Sequence, residues 1–278
     1  MTRRGFTLLE MLVALVVAAV VLVAALRAET SLAAAVRGRA ERAGAASHLR
    51  AAVGLLRFEL ASLGVDPRAG PDLAVVAPGR VVFRAHRGLV PVCGLGPDSI
   101  ILAGRLAPWK PRIPVPVRDS ILLLVPGGSA GAEAWLPAPL LAGPTPGLCP
   151  GGLGGQVYRI ALDSAAAALA AARPETVGRV FETMAVEGYG SAATWHFGQE
   201  GLSAGATLQP IAGPLAGPAG FEVAGWDRTG APAAVPSAIA GLDVVFRVRS
   251  ARELAVGPGR PAAADDSVRA VIRLGNRP

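Results

Sequence analysis

The sequence predicts an α+β protein in which a long N-terminal helix, membrane-spanning in its first half, packs on an antiparallel β-sheet head. Three observations support this fold class. The first proline is Pro67, apolar residues recur with helical spacing up to Leu63, and the remaining chain alternates short apolar runs with Pro and Gly. We therefore expect residues 1–64 to be helical apart from a short leader, and residues 65–278 to form the head.

The first half of the predicted helix has the composition of a membrane span. An apolar run extends from Met11 to Leu26, and with the residues before it gives a segment, 6–26, of about 20 residues, enough for one crossing. Arg3 and Arg4 precede it, and the positive-inside rule places them in the cytoplasm with the C-terminal head outside. Residues 1–5 are left as a leader.

The second half, residues 27–64, has an amphipathic pattern. Its polar face carries several arginines, and Gly64 followed by Pro67 is a typical helix end. The apolar stripe comprises Val36, Ala43, Ala46, Leu49, Val53, Leu56, Leu60 and Leu63. We expect this stripe to pack on the head.

The head has about 210 residues, sufficient for a substantial core. We predict strands at 81–85, 99–102, 120–125, 156–162, 180–186, 193–197, 242–249 and 267–274. The last two are expected to pair in antiparallel fashion, and Asp163-Ser164 should cap a short helix up to Ala172. Exposed Pro/Gly-rich loops are expected at 108–116, 127–131, 137–155 and 210–218.

Glu10 is the one carboxylate inside the apolar N-terminal segment, where an unpaired charge is costly. It closes the run Gly5-Phe6-Thr7-Leu8-Leu9-Glu10, which follows a short basic leader and precedes the span. This arrangement closely resembles the prepilin motif of type IV pilins and pseudopilins. An ordinary secretory signal and a plain signal anchor are the alternatives, but Glu10 and the missing A-x-A exit argue against the former.

The resemblance implies that a membrane-embedded prepilin peptidase cleaves between Gly5 and Phe6 and methylates the new N-terminus at Phe6. The span would then remain in the mature protein. Cleavage creates a positive amine, and Glu10 is expected to neutralise such an amine in the same or a neighbouring subunit, which sets axial register. The implied partners are other major and minor pilins, the inner-membrane assembly platform and membrane lipid.

Residues 55–64 and the predicted C-terminal strand pair are similar to segments of PilW-like and J-type minor pilins. The resemblance implies a minor pilin that primes or caps a pilus, with motility, adhesion or DNA uptake as roles. A J-like minor pseudopilin of a type II secretion system is the alternative. A single-pass envelope enzyme is a third hypothesis, which predicts a catalytic cluster.

The net charge is +7 and the sequence pI about 10.8. The arginines are scattered without a dense basic cluster, so a generally basic surface and a weak DNA contact both remain open.

The search for chemistry gives few candidates. Cys93 and Cys149 lie outside any CxxC motif, and in an oxidising compartment we expect one disulfide between them rather than two thiols. His48, His86 and His196 have no metal-ligand spacing, and Asp265-Asp266 is interpreted as a solvated turn rather than a cation site. We predict a non-enzymatic protein that needs no cofactor or metal.

Overall fold

The computed structural model describes residues 7–66, 69–103, 113–125, 133–162, 176–192, 194–205, 207–255 and 261–275. The chain divides into two compact units, one formed by Met1–Ser47 with Arg249–Asp266 and the other by His48–Val248 with Ser267–Pro278. The predicted helix at 163–172 and the loop at 127–131 lie outside the described residues, as does most of the loop at 108–116.

One helix, α1 (Leu8–Leu60), begins in the first unit and ends in the second. It ends at Leu60, a few residues before the predicted end at Gly64. The described strands in chain order are β1 (Val65–Asp66), β2 (Gly70–Pro71), β3 (Leu73–Ala77), β4 (Arg80–Leu95), β5 (Ser99–Ala103), β6 (Asp119–Val125), β7 (Ala134–Leu148), β8 (Gly154–Ile160), β9 (Thr176–Ser191), β10 (Thr194–Gly201), β11 (Gln209–Leu215), β12 (Phe221–Trp226), β13 (Gly241–Ala255) and β14 (Pro261–Arg273). The predicted α+β class is confirmed.

The predicted apolar stripe of α1 is buried only in its last part. Within the second unit, Leu49, Val53, Leu56 and Leu60 are buried in the core of the head. Val36, in the first unit, is exposed. Apolar burial by the amphipathic half therefore begins at Leu49 and not at the start of the stripe.

Two of the predicted loops are strands in the structure. Most of 137–155 belongs to β7 and β8, and most of 210–218 belongs to β11. Strand β7 pairs with β6 in a regular register through Pro137 and Pro139, whereas its pairing with β8 shifts register between Leu140 and Thr145. The loop predictions were wrong because pairing from both sides overrides the local turn signals.

Six strands of the head close into a barrel. The antiparallel pairings run from β4 to β5, β8, β7, β6, β9 and back to β4. Each strand contributes side chains to one interior cluster: Val90, Val92, Ile100, Leu102, Ile121, Leu123, Val125, Leu136, Ala138, Leu140, Tyr158, Ile160 and Val180. Closure removes free strand edges, so the barrel interior is a continuous hydrophobic core.

A second core is packed against the halves of β4 and β9 that extend beyond the barrel. From β9 the sheet continues through β10 and β11 to β13, and β13 also pairs with β12 and β14. Phe197, Phe221 and Phe246 are fully buried here, with ring centroids 4.7 to 5.0 Å apart. The pairing of β13 with β14 confirms that the last two predicted strands lie side by side.

Candidate assembly site in the N-terminal helix

The N-terminal part of α1 presents its apolar side chains on the outside. The helix is long and apolar enough to cross a membrane, and none of its most apolar stretch is buried within the protein. Leu8 is 85% exposed, and residues 8–26 are exposed throughout. A surface of this kind is stable only when lipid or other apolar helices cover it.

Glu10 and Thr7 cap the first turn of this helix reciprocally. The Thr7 backbone N–H donates to Glu10 Oε2 at 2.9 Å, and the Thr7 hydroxyl contacts the same oxygen at 3.1 Å. In return, the Glu10 N–H donates to Thr7 Oγ1 at 3.3 Å. This is a capping box, which satisfies helix N–H groups that have no partner within the helix. The Thr-x-x-Glu spacing of Thr7 and Glu10 is a sequence signal for this capping box, and the sequence-based prediction missed it.

Glu10 lies at one end of an apolar helix face. A shallow surface groove beginning at Leu9 and Glu10 continues along Val13, Ala14, Val17, Ala18, Val21, Leu22 and Ala25. The capping box holds the carboxylate toward the N-terminal end of this face.

The other predicted motif residues, Arg3, Arg4, Gly5 and Phe6, lie outside the described residues. Their roles in leader charge, cleavage and methylation stay predictions.

In the second unit, two ionic clusters hold the end of α1. The first surrounds Asp72, which is buried and accepts from the Gly64 N–H at 2.8 Å. His86 Nε2 lies 3.2 Å from the Asp72 carboxylate, and Arg179 Nη2 lies 3.6 Å from it. Arg179 also donates to the Ser62 carbonyl, just beyond the helix.

These contacts determine the charge of Asp72. Burial opposes ionisation, but the hydrogen bond and charge of His86, the Gly64 N–H and the Arg179 guanidinium together lower the pKa of Asp72. Asp72 is therefore ionised in the folded protein at neutral pH.

The second cluster is centred on Glu182 of β9, which is 1% exposed. It accepts from Arg118 at 2.7 and 3.1 Å and from Arg87 Nε at 3.1 Å. Arg87 in turn donates to the Glu59 carboxylate of α1 at 3.1 Å. Burial raises the pKa of Glu182, but its hydrogen bonds from the two arginines outweigh that effect and lower the pKa overall. No sequence motif marks this cluster.

The remaining predicted residues are placed as follows. Cys93 and Cys149 form a disulfide, which joins β4 to the turn between β7 and β8. His48 is exposed. His196 Nε2 forms a hydrogen bond with Thr194 Oγ1, 2.8 Å away, on the surface. Asp266 is exposed. Across the described ranges, no group of three or more His, Cys, Asp or Glu side chains could hold a metal ion.

Comparison with protein families matches residues 1–26 to the prokaryotic N-terminal methylation motif. The N-terminal segment is therefore that of a type IV pilin-like or pseudopilin-like protein. The matched motif implies processing by a prepilin peptidase and assembly with other pilins, and it fits an inner-membrane anchor formed by the start of α1. Comparisons with curated proteins and with solved structures found no match.

Proposed function

We propose that this protein is a minor type IV pilin, a structural subunit that primes or caps pilus assembly. The observation that carries the proposal is the methylation motif at residues 1–26, with the Glu10 carboxylate held on an exposed apolar helix. Prepilin peptidase would cleave between Gly5 and Phe6 and methylate Phe6. The head would lie outside the cytoplasm, because Arg3 and Arg4 favour the cytoplasmic side.

Cleavage changes what Glu10 can bind. The new amine at Phe6 carries a positive charge one residue before Thr7, and in an apolar layer an unpaired charge of either sign is costly. The electrostatic stabilisation of an incoming subunit is therefore largest when its amine pairs with the Glu10 carboxylate of its neighbour. The capping box keeps that carboxylate at the helix start until the pairing forms.

Minor status is supported by the size of the head. The head has about 210 residues, which is large for a densely repeating subunit. Its described residues form a closed barrel and a second, aromatic core. A priming or capping position needs few copies and tolerates such a head. Motility, adhesion or DNA uptake would then be functions of the complete pilus.

The test is to delete the gene and count sheared surface pili. We expect loss of pili, with restoration by the intact gene and none by the Gly5→Ala form, which cannot be cleaved. Normal pili in the deletion strain would contradict a pilus role. Measuring exoprotein export in the same strain would then test the alternative, a J-like minor pseudopilin of a type II secretion system, which shares the N-terminal motif.

A further inference from the structure

The segment 113–117, Ile-Pro-Val-Pro-Val, places three aliphatic side chains on the surface of the barrel. Ile113, Val115 and Val117 are 51%, 43% and 68% exposed, whereas Pro114 between them is buried. We call these three exposed side chains the aliphatic ridge. Residues that precede proline are extended, so Ile113 and Val115 are about 6 Å apart along the chain.

The backbone of the ridge is held from inside the barrel. The Val115 N–H donates to Asp119 Oδ2 at 2.7 Å, and the Val117 N–H donates to the Leu140 carbonyl at 2.7 Å. The Tyr158 hydroxyl donates to the Pro114 carbonyl at 3.2 Å. Burial raises the pKa of Tyr158 to about 12, so this donor keeps its proton at any physiological pH.

This arrangement prevents a partner strand from pairing with the backbone of the ridge. Prolines at 114 and 116 have no N–H, and the N–H groups of Val115 and Val117 are already used. A partner strand needs a row of backbone donors and acceptors, which the ridge cannot supply. Any partner is therefore recognised through the side chains.

Val117 adopts φ +68°, a conformation that is costly for a β-branched residue and readily adopted by glycine. The fold retains valine here although glycine would fit the backbone better. The position therefore keeps its side chain at a cost to the folded state, as binding surfaces do.

The surroundings of the ridge define the chemistry of the partner. Leu141 is 48% exposed and directly follows Leu140, whose carbonyl accepts the Val117 N–H. The next residue, Ala142, lies opposite Arg159, which is exposed. Strand β7 therefore lies beside both the aliphatic ridge and the strand that carries Arg159, and a carboxylate would complement this arginine.

We propose that the aliphatic ridge binds an amphipathic helix of a partner protein, with aliphatic side chains at i and i+4 on the ridge and an acidic side chain facing Arg159. The rise over four helical residues is about 6 Å, equal to the Ile113–Val115 spacing. The inference does not depend on the role of Glu10.

The test is site-specific photo-crosslinking in the cells that make the full-length protein. A benzophenone amino acid replaces Val115, and the matched control replaces Val235, an exposed valine elsewhere in the head that is 62% exposed. We expect a discrete adduct from position 115 and none from 235. Mass spectrometry of the adduct should identify a helical segment with aliphatic residues at i and i+4 and an acidic neighbour.

Three variants test the details. With the probe at 115, Val117→Gly should lower the adduct yield at least fivefold while the melting temperature stays equal or rises. Val117→Asp should lower it similarly, and the control Val235→Asp should not. Arg159→Glu should also lower it, and replacing the acid of the captured segment by Arg should restore it.

Several results would overturn the proposal. The first is an adduct yield no higher than that of the Val235 control, and the second is an adduct to lipid or to a second copy of the chain. The others are a captured segment that has no acidic residue, and an adduct yield that Val117→Gly leaves unchanged. A non-reducing gel that shows the Cys93–Cys149 disulfide confirms in each case that the variant is folded.

Discussion

Arg87 connects Glu59 in the last turn of α1 with Glu182 inside the head, at 3.1 Å to each carboxylate. Glu182 is 1% exposed and Arg87 and Glu59 are 15% exposed, so this is a largely desolvated network and not a surface ion pair. Removal of one member of such a network leaves an uncompensated buried charge.

We therefore predict that Arg87→Ala destabilises the head by roughly 3 kcal/mol. The matched control is Arg80→Ala, which breaks an ion pair to Glu187 with an arginine that is 41% exposed and should cost about 1 kcal/mol or less. Urea unfolding of the full chain in detergent, followed by tryptophan fluorescence, measures both values. Equal values for the two variants would show that the network does not hold the helix end.

Acid should destabilise the head through Asp72 and Glu182. Both pKa values are lowered on folding from ordinary values of 3.8 and 4.5, so the stabilisation is complete above the ordinary values and is lost as pH falls toward the folded ones. We expect melting temperatures to be flat above pH about 5 and to fall steeply below it. Glu182→Gln should reduce the steepness of that fall, and an unchanged slope would contradict the assignment.

Glu10 and Thr7 should have separable effects. We predict that Glu10→Ala is cleaved and methylated normally but is not incorporated into filaments, because the amine of the neighbouring subunit loses its carboxylate. Thr7→Val removes only the capping hydroxyl and should lower incorporation modestly. Mass spectrometry of the N-terminus and immunoblots of sheared filaments distinguish the two steps. Normal incorporation of Glu10→Ala would disprove the pairing of carboxylate and amine.

Loss of the disulfide should lower stability without changing the fold. It joins residues separated by 56 positions, and the chain-entropy relation gives about 4 kcal/mol for a loop of that size. The double variant Cys93→Ala/Cys149→Ala should therefore unfold at markedly lower urea than wild type. Similar urea midpoints for the two proteins would show that the barrel holds the turn between β7 and β8 without the bond.

Two glycines should respond to alanine in opposite directions. A Cβ at Gly178 would lie 2.3 Å from Ile121 Cδ1 and 3.1 Å from Val90 Cγ2, so Gly178→Ala should destabilise the barrel by about 1–3 kcal/mol. At Gly54 in α1 a Cβ meets nothing within 4 Å, and Gly54→Ala should stabilise by up to about 1 kcal/mol. Urea midpoints of the two variants compare these effects directly.

Local patterns predicted much of this fold. Helical periodicity predicted α1, and alternating runs predicted most strands, including the β13–β14 pair. The loop predictions at 137–155 and 210–218 failed because Pro and Gly mark turns only where no neighbouring strand pairs with them. Barrel closure could not be predicted, since it depends on β4 pairing with β9, where Val90 lies opposite Gly178 although the two residues are far apart in the sequence.

The candidate site was predicted unevenly for similar reasons. Glu10 was conspicuous because a carboxylate is rare in an apolar run. Glu182, Arg87 and Arg118 were not, because charged residues in short strands are common and only the fold brings these three together. Thr7 was missed although its spacing to Glu10 is a known capping pattern.

The strands β4 and β9, each 16 residues long, belong to both cores of the head. Their registered pairs run from Arg80–Glu187 in one core to Val92–Thr176 in the other. Neither core can therefore be transplanted into another protein, or exchanged with a relative by recombination, without rebuilding two strands of the other. We expect the head to diversify through its turns and surface side chains, and to be inherited as an indivisible module.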